Sequence, residues 1–354
     1  MSMMKIASNI RDYEVHFPET PDFLKSLEKI NPRCYVVDHN VWRLYQDNRL
    51  KEISRDQVIV QPISEEGKSL ESVQALYDRL TGLAAKRNLT LISIGGGILQ
   101  DITGFVASTL YRGINWIFIP TTLLAQADSC IGSKTSLNYR GFKNLIGTFY
   151  PPSGVFIHTP FLATQEEADF FSGVGEVVKL HILGGPEKAR EIGELLPRIL
   201  RRDAEALRTC VSNSLGIKQG YISEDEFDTG RRNLLNFGHC FGHALEANSN
   251  FAIPHGQAIV IGMLLANRVA VRRRILSPKV EKSLAEKLLV PSLTVRPQAS
   301  DLDPRGIVDG MKKDKKRIGE GLALILMAEG YEMSRVNDLT ESEVRAVLQE
   351  ADWF

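Results

Sequence analysis

The amino-acid sequence predicts an α/β fold: a parallel sheet crossed by helices in the first half, and a second half built from helices. Three observations carry this. Short β-branched runs alternate with helical patterns as far as about residue 165, the rhythm of strands returning to one sheet through helical crossovers. Three glycines, Gly95-Gly96-Gly97, directly follow an apolar run, as where a strand turns tightly into a helix. Beyond that point the strand signals fade and stretches of helical character follow. A chain of 354 residues suffices for two domains of the usual size, with the division expected at 1–164 and 165–354.

The elements follow in order. Cys34-Tyr-Val-Val and Val58-Ile-Val read as strands. Leu70 to Ala85 has helical spacing, with Leu70, Val73, Leu76, Tyr77 and Leu80 on one face. Thr90-Leu-Ile-Ser-Ile is the strand that enters the glycines, and Trp116-Ile-Phe-Ile is another, ending at Pro120-Thr121-Thr122. Tyr150-Pro-Pro-Ser-Gly-Val-Phe-Ile reads as a turn leading to the last strand of this half. Helices are expected over 167–183, 204–221, 233–247, 256–275 and 279–289. Ala323-Leu-Ile-Leu-Met-Ala is too short to assign to strand or helix.

Composition narrows the function. The 43 basic and 43 acidic residues cancel, so no nucleic-acid partner is expected, although local anion sites are compatible with the balance. Cys34, Cys130, Cys210 and Cys240 show no Cys-x-x-Cys spacing and fit a reducing cytoplasm without disulfides. The longest apolar stretch, Ala258 to Ala266, is far below the roughly 20 residues that span a bilayer, and the start lacks a sustained apolar core. A soluble cytoplasmic protein without a membrane partner is expected.

Candidate chemistry clusters in a few places. A glycine turn opening a helix lets a phosphate approach free N–H groups and the positive end of the helix dipole, but Gly95-x-Gly97-x-x-Gln100 lacks the third glycine of the dinucleotide fingerprint. Asp101 follows it, and Asp38, ending the first clear strand, has the chemistry to accept ribose hydroxyls or to serve as a loop carboxylate. His239, His243 and His255 fall within 17 residues. The first two share a helix face and suit zinc, or else are core or capping histidines; the segment is not the His-Glu-x-x-His of zinc peptidases. Glu176 and Lys179, three apart, offer a ligand and an ammonium to one cleft, or an exposed helix ion pair. Arg112, Lys134, Lys143, Arg232, Lys315 and Lys316 stand amid glycines and small polar residues, as surface charges or anion contacts.

These segments, in this order, resemble the 3-dehydroquinate synthase family, part of the sugar phosphate cyclases. The anchors are Gly95-Gly-Gly-Ile-Leu-Gln-Asp101, Tyr111-Arg-Gly, Pro120-Thr-Thr-Leu-Leu-Ala-Gln-Ala-Asp128, Lys134-Thr, Lys143-Asn144, Gly175-Glu-Val-Val-Lys179, Arg232-Asn-Leu-Leu-Asn-Phe-Gly-His239, Phe241-Gly-His243, His255-Gly and Asp314-Lys-Lys316. The resemblance implies a Rossmann-like NAD-binding domain followed by an all-helical metal-binding domain, with an active site in the cleft between them. It implies zinc, or cobalt, on Glu176, His239 and His255. Asp128, Lys179, Lys218, Asn236 and His243 would be catalytic, and Arg112, Lys134, Asn144, Arg232, Lys315 and Lys316 would bind a small sugar phosphate. Arg112 matches an arginine that reaches the neighbouring subunit's site, so a homodimer is implied. NAD would take Asp38, Glu65, Lys68, Gly96, Gly97, Asp101, Thr121, Thr122, Leu124, Lys143 and Thr164. The implied reaction converts 3-deoxy-arabino-heptulosonate 7-phosphate to 3-dehydroquinate and phosphate, by NAD-dependent oxidation, elimination, reduction and intramolecular aldol closure.

The chain departs from the family pattern where Gln100, Ser133, Ser136 and Ser64 stand in place of glycines, and each adds a side chain where a positive φ or close approach was available. Three other readings compete. A sister cyclase would act on an amino analogue, sedoheptulose 7-phosphate or glucose 6-phosphate; Arg232 and Asn236 disfavour the last two, which carry no carboxylate. A metal-dependent alcohol dehydrogenase needs no anion cradle, and an inert binding protein needs no metal triad.

Overall fold

In a computed structural model that describes residues 3–83, 86–312 and 321–350, the chain forms two units. The first comprises Met1–Gln165 with Ile222–Phe227, the second Glu166–Tyr221 with Asp228–Phe354. The return of a short segment to the first unit has no signal in the sequence.

The first unit contains β1 (Met3–Ile6), β2 (Tyr13–His16), β3 (Arg33–Asp38), β4 (Val58–Gln61), β5 (Thr90–Gly95), β6 (Asn115–Pro120), β7 (Lys134–Tyr139), β8 (Phe142–Phe149) and β9 (Gly154–Phe156). Seven of these form one sheet in the order β1-β2-β9-β6-β5-β3-β4. Only the edge pair β1 and β2 is antiparallel within it. β7 and β8 form a separate antiparallel hairpin. The helices are α1 (Phe23–Leu27), α2 (His39–Tyr45), α3 (Leu70–Gly82) and α4 (Gly97–Thr109). Helices cover both faces of the central strands, so these strands read as unbroken apolar runs, and every residue of β5 is buried. On one face Tyr35, Val37, Ile92, Ile94, Ile117 and Ile119 join Leu24 of α1 and Val41 and Tyr45 of α2 in one core. α4 lies against β5 and β6 with Leu99, Ile102 and Val106 buried.

This order positions a site. From β3 the chain passes to β4 on one side, and β5 returns on the other, so the winding reverses between β3 and β5. Val37 is in register with Ile94, which sets Asp38 and Gly95 side by side at the carboxyl ends of the strands. A crevice at such a reversal is where open α/β sheets bind ligands.

The second unit holds α5 (Glu167–Leu183), α6 (Pro186–Leu200), α7 (Ala204–Glu224) up to Tyr221, α8 (His239–Asn248), α9 (His255–Arg272), α10 (Pro278–Leu284), α11 (Pro304–Lys312) and α12 (Glu341–Gln349). α9 is its axis: Gly256 to Asn267 is buried throughout, and α5, α8, α10 and α12 all pack on it. The all-helical expectation needs one amendment. Leu322–Met327, the stretch the sequence left undecided, is a strand, β10, paired antiparallel with β11 (Met333–Leu339) and packed on α9. The helix expected over 233–247 is also broken: a 3-10 turn, Arg231–Asn236, gives way to α8 through Gly238, whose φ of +79° is left-handed. Among the described residues no helix is long and apolar enough to cross a membrane.

α12 is fastened at its start by a capping box. Thr340 Oγ1 accepts the Glu343 N–H at 3.3 Å, and the Glu343 carboxylate accepts the Thr340 N–H at 3.0 Å. Arg273 of the adjoining turn gives that carboxylate two further bonds, at 2.7 and 2.9 Å. These Arg273 bonds, followed by those from Thr340, outweigh burial and hold the Glu343 carboxyl down at about 2. A depressed carboxyl stabilises the fold above its ordinary value of 4.5 and loses that contribution as the pH falls through 2. The melting temperature of the wild type is therefore expected to fall more steeply across this window than that of Glu343→Gln. Parallel melting curves would show that the pair adds nothing net.

Candidate active site

Three helices of the second unit bring Glu176, His239 and His255 together. Glu176 projects from the middle of α5, while His239 and His255 are the first residues of α8 and α9. Such convergence needs backbones in contact. A side chain at Gly175 would overlap the Gly256 carbonyl, and one at Gly256 would overlap that of Ser172. Gly256→Ala is accordingly expected to cost at least the ~1–3 kcal/mol of an overpacked core and to move His255 off its partners. Thermal melting with metal analysis checks this, and an unchanged melting temperature would show that the contact relaxes freely.

His255 Nε2 lies 3.4 Å from Glu176 Oε1 and His239 Nε2 lies 3.8 Å from it. The three ligand atoms are all within 4.8 Å of one another. Glu176 is 1% exposed, yet neither of its oxygens accepts a hydrogen bond of normal geometry. Lys179, one turn along and 3% exposed, forms an ion pair with Oε2. The pair is buried, so the exposed helix ion pair open to sequence reading is corrected: packing of α9 against α5 removes both residues from water.

Burial alone would raise the Glu176 carboxyl, but the Lys179 ammonium, then His255, hold it below the usual carboxylate range. Burial, and after it Lys179, drives His239 well below the ordinary imidazole value, leaving a neutral ring whose Nδ1 is 3.3 Å from the Phe237 carbonyl. His255 goes the other way: burial would lower it, but the Glu176 and Glu246 carboxylates facing its two ring nitrogens raise it to about 9. A buried carboxylate without good hydrogen bonds, facing two imidazole nitrogens, fits a divalent cation with positions left open for substrate.

His243 stands beside this triad, its ring centroid 5.2 Å from that of His239 and 5.8 Å from that of His255, with its side chain exposed. Arg232 and Asn236 lie on the 3-10 turn before α8; Arg232 is buried, and Asn236 Nδ2 donates to the Asn233 carbonyl at 2.8 Å. Lys218 is buried on α7. Lys315 and Lys316 lie outside the described residues. Sequence reading missed Glu246, which is 4% exposed with Oε2 3.1 Å from His255 Nδ1. Its signal was the three-residue step from His243 along α8, and His243, Glu246 and His255 form a second group of close ligand atoms.

The first unit gathers most of its expected cofactor residues into two groups. At the crevice, Gly96 is the N-cap of α4, Thr121 N–H donates to the Gly95 carbonyl at 2.9 Å, and Thr122 lies against Gly96. Asp38 borders this crevice, and its Oδ1 accepts the Asn40 N–H at 2.8 Å, capping α2. Leu124 leads into the π turn Ala125–Ser129 that carries Asp128. The second group is a polar network: Lys68 pairs with Asp101 and donates to Asn144 Oδ1 at 2.6 Å. Asn138 joins Glu65 to it through a 2.8 Å bond, and burial pushes the Asp101 carboxyl up against the pull of Lys68. Asn144, expected beside the substrate, thus shares its partners with residues expected beside NAD. Lys134 and Lys143 stand on the β7–β8 hairpin, and Arg112 is exposed with φ +65°. Thr164 stands apart from both groups in its contacts, its hydroxyl 2.6 Å from Tyr45 Oη.

The departures from the family pattern are absorbed by contacts of their own. Gln100 lies within α4, where no positive φ is needed, and exchanges two bonds with Ser129, Nε2 to the carbonyl at 2.7 Å and Oε1 from the hydroxyl at 2.6 Å. Ser136 donates its N–H and its hydroxyl to the two oxygens of Asp101, each at 3.0 Å. Ser133 alone is left-handed, at φ +65°, and its hydroxyl bonds the buried Glu226 at 3.2 Å. Glu226 also accepts from Ser8 and Asn9, so one carboxylate ties the chain start to the Ser133-Lys134 turn. Ser64 Oγ accepts the Gly67 N–H at 3.0 Å.

Known proteins resemble this chain along most of its length. Residues 58–172 match the family described as 3-dehydroquinate synthase N-terminal, and residues 173–317 match 3-dehydroquinate synthase C-terminal. The 3-dehydroquinate synthase of Dehalococcoides mccartyi is 34% identical over 336 residues, 94% of this chain and 93% of that protein. That of Dictyoglomus turgidum is 37% identical over 320 residues, 90% and 89% of the two chains. The solved structure of 2-epi-5-epi-valiolone synthase from Streptomyces hygroscopicus subsp. jinggangensis, with NAD+ and Zn2+ bound, is 25% identical with a TM-score of 0.84, covering 98% of this chain and 99% of that one. With the N-terminal and C-terminal family models matched in order, over ranges that include the glycine turn, Glu176 and the three histidines, the chain belongs to the 3-dehydroquinate synthase family.

Proposed function

We propose that the protein converts 3-deoxy-arabino-heptulosonate 7-phosphate to 3-dehydroquinate and phosphate, as a cytoplasmic homodimer acting as a carbon-oxygen lyase of the shikimate route. The observation that carries this reading is the buried Glu176 carboxylate facing two imidazole nitrogens, in a unit that also buries Lys179, Lys218 and Arg232. The reaction is redox-neutral: a hydroxyl is oxidised, phosphate leaves, the ketone is reduced, and the opened ring closes as an aldol. When bound, NAD takes up and returns the hydride, and a divalent ion, zinc or cobalt, on Glu176, His239 and His255 polarises substrate oxygens.

The chain's own residues do the rest. Asp38, Gly96, Gly97, Thr121 and Thr122 take the cofactor at the crevice, and Glu65, Lys68 and Asp101 of the polar network contribute to the same task. Leu124, Lys143 and Thr164 complete the cofactor set. Lys179, held by Glu176, presents an ammonium to a substrate hydroxyl, and Asp128, Lys218 and Asn236 orient the reacting carbons. Arg232 forks onto the carboxylate. Lys134, Asn144, His243 and the Lys315-Lys316 pair hold the phosphate end, and Arg112 reaches the neighbouring subunit.

Substrate choice tests this reading against the sister cyclases. Sedoheptulose 7-phosphate and glucose 6-phosphate carry no carboxylate to take the two parallel bonds that a guanidinium offers. The carboxylated substrate is expected to give a kcat/KM on the order of 100-fold or more above either. Preference for a carboxylate-free sugar phosphate would overturn the reading, and faster turnover of an amino analogue would reassign the substrate. Light scattering checks the dimer.

A further inference from the structure

Each ring nitrogen of His255 faces a carboxylate. Nε2 lies 3.4 Å from Glu176 Oε1, and Nδ1 lies 3.1 Å from Oε2 of the buried Glu246. An ionised carboxylate only accepts hydrogen bonds, so a ring whose Nε2 is bare enough to ligate satisfies Glu246 in one tautomer alone, with the proton on Nδ1. That tautomer leaves the Nε2 lone pair facing Glu176 and His239. The other tautomer sets two lone pairs against each other at Glu246 and spends the Nε2 proton on Glu176. His239 meets the same demand through the backbone, with Nδ1 3.3 Å from the Phe237 carbonyl, also an acceptor only. Both imidazoles therefore present Nε2 to one point.

Glu246 is well placed to hold a ring still. Its backbone carbonyl accepts the Phe251 N–H at 2.7 Å and the Ser249 hydroxyl at 3.2 Å, which closes the end of α8. α8 itself packs along α9, whose first residue is His255.

Resting on the metal reading above, we propose that Glu246 is a positioning residue: it fixes the tautomer and orientation of His255 so that Nε2 ligates the divalent ion held with Glu176 and His239. Carboxylates behind ligating histidines act in this way, and their loss commonly weakens metal binding by about 10- to 100-fold. The closeness of His243, Glu246 and His255 offers a competing role for Glu246 as ligand to a second ion. The hydrogen bond favours the positioning role, because Nδ1 cannot both donate to Glu246 and ligate.

The test uses metal-free full-length protein, titrated with Zn2+ against a chromophoric chelator and with Co2+ by visible absorption. The variants are Glu246→Ala, Glu246→Gln and Glu176→Gln, with circular dichroism of each metal-free form. The wild type is expected to bind one ion per chain. Glu246→Ala should bind Zn2+ about 10- to 100-fold more weakly with altered Co2+ bands, and Glu246→Gln, whose amide oxygen still accepts from Nδ1, should recover most of both. If Glu246→Ala fails to fold, Glu246→Asp, which shortens the reach but stays anionic, takes its place and should also bind more weakly. Wild-type affinity and spectrum in a folded Glu246→Ala or Glu246→Asp would overturn the proposal. Two ions in the wild type and one in Glu246→Ala would overturn it in favour of the ligand role. A wild type that binds no ion, or a Glu176→Gln that binds as tightly, would instead remove the metal reading and the proposal with it.

Discussion

Glu176→Gln is expected to purify with far less than one Zn2+ per chain and to lose turnover by a factor on the order of 10³. Glu176 is the only anion among the three candidate ligands, and its oxygens are buried without good hydrogen bonds. An amide of the same shape offers one neutral oxygen, so the loss of metal affinity should exceed the roughly 10- to 100-fold of a change behind the ligands. The substitution has a second consequence. Lys179, 3% exposed, is left opposite a neutral group, and breaking a buried pair costs about 3–5 kcal/mol unless the ammonium sheds its proton. A lower melting temperature should therefore accompany the lost activity, and metal content, melting and turnover belong on the same preparation. A folded variant that keeps wild-type metal and activity would take Glu176 out of the ligand set.

Arg232→Ala is expected to lower kcat/KM for the carboxylated substrate by a factor on the order of 10²–10³, mostly through KM. Arg232 is 3% exposed, and a guanidinium removed from water binds a carboxylate through two parallel bonds that a methyl group cannot replace. Arg232→Lys should recover only part of the loss, since an ammonium is a point charge without the fork. Carboxylate-free sugar phosphates should be turned over no worse by Arg232→Ala than by the wild type, which separates a lost anchor from a disturbed fold. Steady-state kinetics on both substrate types decides this, and an unchanged KM for the carboxylated sugar would place the anchor elsewhere.

What the sequence revealed follows from what packing does to each segment. β5 and its neighbours were legible because burial on both faces makes them continuous apolar runs, and the glycines marked the turn into α4. The β7–β8 hairpin was not legible: half of β8 is exposed, and Lys143, Asn144 and Gly147 interrupt any alternation. The break at Gly238 was hidden because Leu234, Phe237 and Phe241 keep helical spacing across it, while only a contact with α9 demands the left-handed glycine. In the site, the histidine cluster stood out by spacing. Glu246 did not, because an acidic residue one helical turn from a histidine reads as solvent-facing until a second helix covers it. The serine and glutamine substitutions read as obstructions, and only the fold supplies Ser129, Asp101 and Glu226 as their partners.

The most direct measurement of the central claim is phosphate release from 3-deoxy-arabino-heptulosonate 7-phosphate by zinc-loaded protein with NAD well below the substrate concentration, with the product identified by mass spectrometry. Many phosphates per NAD, an equal amount of 3-dehydroquinate and no net NADH are the expected result. Protein that carries metal and NAD yet releases no phosphate from this sugar, or that accumulates NADH in step with product, would contradict the account.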